Sequence, residues 1–460
     1  MARTFKIITY GCQMNVFDSM RIADALRTRL NMQEAPDPDQ ADVVILNTCS
    51  VREKPEEKVY ATLTRLLANK RKRPDMLIGV AGCVPRHAGQ DIMDRFPFVD
   101  FVMGPDHVAQ AAEIITQATR GERVVAISQA KKGKYVFPVL TSAAQQGPTA
   151  FLTIIKGCNK TCSYCIVPFT RGPEQSKPPE MVVNEVRQLI ADGAREITLL
   201  GQNVNSYGKD LGTETDFVKL LSKVAAVDGL KRLRFVTSHP VDATDELLMA
   251  FSRIPKLMPY FHLPLQAGSD RILAAMRRGY TLDDYLRKVD ILRETSPELA
   301  LATDIIVGFP GETTKDFEKT LAAVRRIEFD QMFSFKYSPR PHSAAARIPD
   351  DVEPMEKARR LKELQDLHDE IQTRRMAKLQ GTLQDVMVEG ISKQGLREGS
   401  AQVFGRTPAN WVTNIDTRDN VGLKGKLITV KISKVMRHSL KGTIVSIPQA
   451  GKKLGHGNGQ

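Results

Sequence analysis

The chain has 460 residues, of which 42% are hydrophobic and 26% are charged. At roughly 150 residues per domain, this length predicts about three domains. No apolar run is long enough to cross a bilayer, there is no low-complexity tract, and the first residues lack the apolar segment and cleavage site of a secretory signal. The composition therefore excludes membrane-spanning, fibrous and secreted classes and predicts a globular cytoplasmic protein.

The chain is basic, with a formal net charge of +13. Residues 376–460 hold 13 Lys or Arg residues against 5 Asp or Glu, so most of the excess positive charge lies near the C-terminus. A concentrated basic region favours a polyanionic partner, because phosphate groups bind Lys and Arg without regard to sequence.

The first part of the chain alternates strand-like and helix-like patterns. Apolar runs rich in Ile and Val occupy 5–9, 43–47, 77–81 and 99–103, and helical periodicity covers 17–30 and 53–70. Such alternation is typical of βαβ units, so we expect a parallel sheet flanked by helices.

Three cysteines follow strands of this expected sheet. Six cysteines are few for a disulfide framework in a chain of this length, and in a reducing compartment they are better interpreted as metal ligands or catalytic thiols. Cys12, Cys49 and Cys83 each come just after the carboxyl end of a different apolar run. Because these ends share one edge of a parallel sheet, the three thiols should converge there.

The polar stretch 131–150 predicts a domain boundary. After it, strand-like runs alternate with helical patterns, which indicates an incomplete (βα)6 barrel whose reactive groups lie at the carboxyl ends of its strands. The strand-like runs are 151–156, 196–200, 232–237, 259–265, 301–307 and 330–337, and the helical patterns are about 180–192, 215–227, 243–252, 269–294 and 313–327.

Cys158, Cys162 and Cys165 form a Cys-x3-Cys-x2-Cys loop just after the first barrel strand. Three thiolates on a 4Fe-4S cube leave one iron open to another ligand. A structural zinc site would normally need a fourth nearby ligand, and no fourth cysteine lies close in sequence. The loop therefore predicts a reactive iron–sulfur cluster.

The last part of the chain changes character. Residues 354–380 read as a charged connecting helix, and the Val/Ile-rich runs after 381, separated by Gly, Asn and Asp, predict a small antiparallel β-barrel or sandwich. The predicted division is an N-terminal domain at 1–130, a barrel domain at 145–375, a C-terminal domain at 378–447 and a disordered tail at 448–460.

The Cys-x3-Cys-x2-Cys loop, with Tyr164 before its last cysteine, resembles the signature of the radical S-adenosylmethionine (SAM) superfamily. The resemblance implies that the open iron binds SAM and that a 5′-deoxyadenosyl radical is formed. Superfamily members contact SAM with residues at strand ends, and five polar residues stand at such ends here. These expected SAM contacts are Gln202, Asn203, Ser238, Gln266 and Asp304.

Across nearly its whole length the chain resembles the methylthiotransferases of this superfamily, and among them the MiaB type that acts on tRNA. The motifs are TYGCQMNVFDS, NTCSVREKPEEKVY, GVAGCVPR, GCNKTCSYCIVPFTRGPEQS, HLPLQAGSDRIL and FGRTPANWV. The resemblance implies an auxiliary 4Fe-4S cluster on Cys12, Cys49 and Cys83 that delivers sulfur, and a C-terminal TRAM domain that holds RNA. Two residues depart from the usual pattern: Lys177 replaces a common Arg and Ala267 a common Ser.

By this resemblance, two 4Fe-4S clusters and SAM add a methylthio group to C2 of N6-isopentenyladenosine beside the anticodon of tRNA. The expected partners are tRNA, an external electron donor and a sulfur donor of unknown identity, and we expect a monomer with no membrane attachment. The expected RNA contacts are Arg406, Asn410, Trp411, Lys434, Arg437 and Lys441.

Other functions remain open at this stage. A methylthiotransferase could act on threonylcarbamoyladenosine in tRNA or on an aspartate of a ribosomal protein. A different class is a non-catalytic iron–sulfur protein that binds RNA or transfers electrons, which would have no SAM site. An enzyme that only methylates through SAM would not need the first three cysteines.

Overall fold

The computed structural model describes residues 3–50, 53–129, 135–137, 147–212, 214–398, 401–417 and 422–447. The expected disordered tail at 448–460 and most of the expected boundary at 131–150 lie outside these residues. No helix within the described residues is long and apolar enough to span a membrane.

The N-terminal part is a six-stranded parallel sheet in the order β2-β1-β3-β4-β5-β6. Its strands are β1 (Thr4–Tyr10), β2 (Gln33–Glu34), β3 (Val43–Thr48), β4 (Leu77–Gly82), β5 (Phe101–Met103) and β6 (Val124–Ala126). Its helices are α1 (Gln13–Leu30), α2 (Glu53–Lys72), α3 (Cys83–Arg95) and α4 (Ala111–Ala118).

Every residue of β3 and β4 is buried. Along β3 the side chains alternate between two cores, with Val44 and Leu46 in one and Val43 and Ile45 in the other. A strand covered by helices on both faces must be apolar at consecutive positions, which explains the unbroken Val/Ile runs of the sequence.

The central part is the expected partial barrel. Its strands are β7 (Thr149–Thr153), β8 (Ile155–Lys156), β9 (Gln175–Ser176), β10 (Glu196–Leu200), β11 (Arg232–Phe235), β12 (Tyr260–His262), β13 (Ala300–Val307) and β14 (Gln331–Lys336). Its helices are α5 (Val167–Arg171), α6 (Pro179–Ala191), α7 (Phe217–Ala225), α8 (Asp245–Arg253), α9 (Asp270–Ala275), α10 (Leu282–Thr295) and α11 (Thr314–Ile327).

Six of these strands run parallel in two groups, β7-β10-β11 and β12-β13-β14. In the described part of the barrel, a single parallel bridge between Leu233 and Leu257 joins the groups. The periodicity at 269–294 corresponds to two helices, α9 and α10, rather than one. The (βα)6 prediction is therefore confirmed, with a weak join in the middle of the sheet.

A long helix, α12 (Pro354–Ala377), leads to the C-terminal part. That part is a closed barrel in the order β15-β16-β17-β19-β18. Its elements are β15 (Leu383–Ile391), α13 (Lys393–Glu398), β16 (Gln402–Arg406), β17 (Val412–Asp416), β18 (Leu427–Val435) and β19 (Leu440–Ser446). The barrel expected from the sequence is confirmed, although one pair, β17 with β19, is parallel.

The two outer parts pack against different regions of the central barrel. Met14 and Phe17 of α1 pack with Leu200, the last residue of β10, so the N-terminal part covers the carboxyl ends of the strands. Ala409 of the C-terminal barrel packs beside Tyr260 and Ala300, the first residues of β12 and β13. The mouth of the central barrel thus faces the edge of the sheet that carries the first three cysteines.

Candidate functional site

The cysteines Cys12, Cys49 and Cys83, called here the N-terminal cysteines, lie at one edge of the parallel sheet. Their strands β1, β3 and β4 are direct neighbours. The register pairs Tyr10 with Thr48 and Thr48 with Gly82, so each strand ends at the same level just before its cysteine. The convergence expected from the sequence is what the strand register produces.

Local hydrogen bonds hold this edge in shape. Asn15 Nδ2 donates to Asn47 Oδ1 at 3.2 Å and to the Thr48 carbonyl at 3.0 Å, and Asn47 Nδ2 donates back to the Asn15 carbonyl at 2.8 Å. Gly82 has a φ of +96°, and a Cβ atom there would lie 2.4 Å from the Thr48 carbonyl oxygen. Only glycine fits this turn without displacing the strand that precedes Cys49.

The N-terminal thiols interact with one another. A hydrogen bond from Cys49 lowers the pKa of Cys12 to about 6. Burial raises the pKa of Cys83, although the nearby Arg171 guanidinium opposes that rise. One exposed and two buried thiols at a single edge form a set that a metal cluster could reach from the side of the central barrel.

Cys158, Cys162 and Cys165, called here the loop cysteines, lie between β8 and α5. Gly157 has a φ of +80°, and a Cβ atom there would lie 2.0 Å from the Pro173 carbonyl oxygen. The Gly157 N–H donates to the Gln202 side chain, and the Cys158 N–H donates to the Gly172 carbonyl at 3.0 Å. The backbone thus folds back on itself tightly at the start of the loop.

Burial raises the pKa of Cys158 to about 12 and the pKa of Cys165 to about 11. Without a nearby metal these two thiols would stay protonated at neutral pH. A bound metal ion deprotonates a coordinating thiol outright, so iron would supply the charge that the protein alone does not.

Two basic side chains that sequence reasoning missed surround Cys162. Arg278 is 4% exposed, and its Nη1 lies 3.3 Å from Cys162 Sγ and 3.3 Å from the Tyr164 hydroxyl. His239 Nε2 lies 3.7 Å from the same sulfur, and burial lowers the pKa of His239, which keeps the ring neutral. The polar segment FVTSHP, which contains the predicted SAM contact Ser238, also contains His239, whereas Arg278 lies outside it.

Three of the five residues expected to contact SAM carry a buried polar atom with no partner in the described part of the chain. These atoms are Asn203 Oδ1, Ser238 Oγ and Gln266 Oε1. Buried polar groups are normally hydrogen-bonded, so these three suit a ligand rich in polar groups such as SAM. Of the other two, Gln202 accepts from the Gly157 N–H, and Asp304 Oδ2 lies 3.4 Å from His262 Nε2 without a hydrogen bond between them.

The described residues contain no group of three His, Cys, Asp or Glu side chains placed to hold a single metal ion. A four-iron cube makes a different demand, because each cysteine binds its own iron. All six cysteines are free thiols at two sites with no competing disulfide, so the donor set fits iron–sulfur clusters.

The residues expected to contact RNA are placed differently from one another. Three of them pair with carboxylates: Arg406 with Glu389 at 2.6 Å, Arg437 with Asp369, and Lys441 with Asp416 at 2.8 Å. Lys434 is exposed, and the Asn410 N–H donates to the Thr407 carbonyl at 3.0 Å. Trp411 is only 6% exposed and packs in the core of the C-terminal barrel, so it has little surface with which to contact a base.

Known proteins resemble this chain over most of its length. A model of the radical SAM superfamily matches residues 152–324, and a model described as uncharacterized protein family UPF0004 matches residues 4–104. The first match implies SAM and a 4Fe-4S cluster as cofactors. The radical S-adenosylmethionine methyltransferase TsrM from Kitasatospora setae shares the fold, with a TM-score of 0.55, 13% identity and coverage of 75% of this chain and 77% of that one.

Two relatives with higher identity cover almost the whole chain. The tRNA-2-methylthio-N(6)-dimethylallyladenosine synthase of Caldicellulosiruptor saccharolyticus is 42% identical over 445 residues, 96% of this chain and 93% of the relative. The protein of the same name from Geobacter metallireducens is 44% identical over 442 residues, 95% of this chain and 97% of the relative. On this identity and coverage, the chain belongs to the family of tRNA-2-methylthio-N(6)-dimethylallyladenosine synthases within the radical SAM superfamily.

Proposed function

We propose that this protein adds a methylthio group to C2 of N6-isopentenyladenosine, the dimethylallyl-modified adenosine beside the anticodon of tRNA. The observation that carries the proposal is the pairing of two three-cysteine sites across one junction. The N-terminal cysteines lie at the sheet edge that faces the barrel mouth, and the loop cysteines follow the first barrel strand.

The two sites have different parts in the reaction. When bound, a 4Fe-4S cluster on the loop cysteines would supply the electron that cleaves SAM, and a second cluster on the N-terminal cysteines would supply sulfur. The chain itself binds and orients: Arg278 donates toward Cys162, and the strand register holds the N-terminal cysteines together. An aromatic C–H bond resists acid–base chemistry, so the cofactors rather than side chains must supply the reactivity. The main task of the protein is therefore to position the reacting groups.

SAM would be held at the carboxyl ends of the barrel strands. Asn203, Ser238 and Gln266 support this position, because each has a buried polar atom without a partner in the described ranges, and a ligand there would complete their hydrogen bonds. Gln202 contacts the cysteine loop, so we assign it a role in holding that loop rather than SAM. Asp304, whose Oδ2 lies 3.4 Å from His262 Nε2, remains a proposed SAM contact.

Transfer RNA would be held in part by the C-terminal barrel. Three cations support binding of phosphates there. Lys434 is exposed, and Arg437 and Lys441 pair with carboxylates that are at least partly exposed. The division into domains at 1–130, 145–375 and 378–447 belongs to the same proposal. So do action in the cytoplasm as a monomer, an external electron donor and a sulfur donor yet to be identified.

The names of the relatives favour dimethylallyladenosine over threonylcarbamoyladenosine or a ribosomal aspartate as the substrate. A strain lacking the gene for this protein tests that assignment through mass spectrometry of its tRNA nucleosides. We expect the methylthio-isopentenyl nucleoside to disappear and its unthiolated precursor to accumulate. Unchanged adenosine nucleosides would contradict the proposed substrate.

Variants of the purified, iron-reconstituted protein separate the two sites. Cys49→Ala should still cleave SAM to 5′-deoxyadenosine but should not thiolate tRNA, whereas Cys162→Ala should do neither. Ser252→Ala, at an exposed position on α8, is the matched control and should do both. A Cys49→Ala protein that still thiolates tRNA would contradict a sulfur-delivering role for the N-terminal cysteines, and continued methylation without thiolation would favour a simple methylating enzyme.

A further inference from the structure

A buried arginine connects the two cysteine sites. Arg171 is the last residue of α5, six positions after Cys165, and it is 5% exposed. Its Nε lies 3.3 Å from Cys83 Sγ, 88 residues away in sequence. Its Nη2 lies 2.8 Å from Asp18 Oδ2 in an ion pair whose side chains are 6% and 4% exposed.

The contact lies within the junction between the N-terminal sheet and the central barrel. A second buried ion pair crosses the same junction, with Lys156 Nζ 2.5 Å from Asp106 Oδ1. Lys156 precedes the loop cysteines and Arg171 follows them, so the cysteine loop is attached to the N-terminal part on both sides. The two ion pairs differ in one respect. Among the contacts just described, Arg171 also reaches a cysteine sulfur and Lys156 does not.

A role limited to joining the two parts does not account for this geometry. Burying a charged pair yields little net stability, since the loss of hydration offsets most of the attraction. Besides its ion pair with Asp18, the Arg171 guanidinium directs a second contact at a sulfur that the proposed function makes a cluster ligand. Hydrogen bonds to ligand sulfurs and the local net charge are among the main factors that set the reduction potential of an iron–sulfur cluster.

We propose that Arg171 is a positioning residue that raises the reduction potential of the auxiliary cluster and holds Cys83 against the loop that carries the SAM-cleaving cluster. This inference rests on the proposed function, because it requires a cluster on the N-terminal cysteines. One-electron reduction adds a negative charge to that cluster. A buried cation whose N–H donates to a ligand sulfur stabilises the added charge, and a nearby carboxylate opposes it.

The sign of the effect distinguishes this role from a structural one. Arg171→Met removes the cation and the donor, so it should make the auxiliary cluster harder to reduce. Asp18→Asn removes the opposing carboxylate but keeps the arginine, so it should make the cluster easier to reduce. If the ion pair only joined two domains, both variants would loosen the same contact, and their effects would have the same sign.

The measurement uses the full chain with Cys158, Cys162 and Cys165 all changed to Ala, so that only an auxiliary cluster can form. After reconstitution with iron and sulfide, iron is counted per chain, and the reduced fraction is followed by electron paramagnetic resonance during a redox titration. We expect Arg171→Met to lower the ratio of reduced to oxidised cluster at a fixed potential about tenfold, which corresponds to 59 mV for one electron. Arg171→Lys, which keeps the charge, should give a smaller shift.

Arg86→Met is the matched control. Arg86 lies on the same helix as Cys83, its guanidinium stacks over Phe169 of α5 at 4.9 Å, and its Nη1 bonds to the Ile127 carbonyl at 3.0 Å. The Arg86→Met variant therefore removes one positive charge from the contact between α3 and α5, as Arg171→Met does, but it leaves the contact with the Cys83 sulfur in place. Equal shifts in Arg86→Met and Arg171→Met, or shifts of equal sign in Arg171→Met and Asp18→Asn, would overturn the inference.

Failure of the proposed function would look different. If the triple-alanine protein with Arg171 intact bound no four-iron cluster, the auxiliary site itself would be wrong. If Arg171→Met failed to fold, Asp18→Asn and Arg171→Lys would still decide the direction of the effect.

Discussion

Replacing Arg234 by methionine should weaken the attachment of the C-terminal barrel. Arg234 is 4% exposed on β11, and it donates to Glu196 Oε1 at 2.9 Å and to the Pro408 and Thr407 carbonyls at 2.7 and 2.8 Å. Removing one member of a buried ion pair lowers the free energy of unfolding by ~3–5 kcal/mol, mainly because the partner charge stays buried. Arg232 remains 3.8 Å from Glu196, so we expect the lower end, about 3 kcal/mol.

The chain contains one tryptophan, Trp411, and it lies in the core of the C-terminal barrel. Urea unfolding followed by its fluorescence therefore reports this part of the molecule. The control is Arg187→Met on α6. Arg187 Nη1 makes an exposed hydrogen bond to Asn184 at 2.9 Å, so this variant should shift the free energy of unfolding by less than ~0.5 kcal/mol. A shift below ~1 kcal/mol in Arg234→Met would refute the idea that the arginine fastens the barrel.

Three further outcomes are expected. Gly82→Ala should lower the iron content of the N-terminal site and destabilise the protein, because a methyl group would lie 2.4 Å from a carbonyl oxygen of β3; normal iron content would contradict this. Ser238→Ala should weaken SAM binding in equilibrium dialysis by roughly two- to tenfold, the loss of about one hydrogen bond, and unchanged binding would remove Ser238 from the SAM site. Burial lowers the pKa of Lys177 from 10.5 to about 8, so between these values the unfolded chain holds a proton that the folded chain has lost. The stability of the wild type relative to Lys177→Met should therefore rise with pH across that interval, by at most about 1.4 kcal/mol per pH unit, and a constant difference in urea titrations at pH 8 and pH 10 would contradict the argument.

Much of the fold could be predicted because it depends on local patterns. Strands covered on both faces require consecutive apolar residues, and helices require a period near 3.6, so the βα alternation is visible in the chain itself. Details that depend on pairing were missed: the short edge strands β2 and β6, the division of 269–294 into two helices, and the parallel contact between β17 and β19. Short strands carry little periodicity, and their partners are distant in sequence.

The placement of the six cysteines was also decided by the sequence. A cysteine that follows a parallel strand must lie at the carboxyl edge of the sheet, and three neighbouring strands bring three such cysteines together. The spacing within the loop cysteines is likewise local. Both sites could therefore be located before any contact between them was known.

Only the tertiary structure decided what surrounds those cysteines. The Arg171 contact with Cys83 spans 88 residues and the Arg278 contact with Cys162 spans 116, and no local pattern announces either. Packing also buried Trp411 and left Ser238 Oγ without a hydrogen-bond partner among the residues that the structure describes. Burial and long-range contacts arise from how separate elements meet. The amino-acid sequence therefore determined where the six cysteines lie, and the packing of three folded parts determined the charges and hydrogen bonds around them.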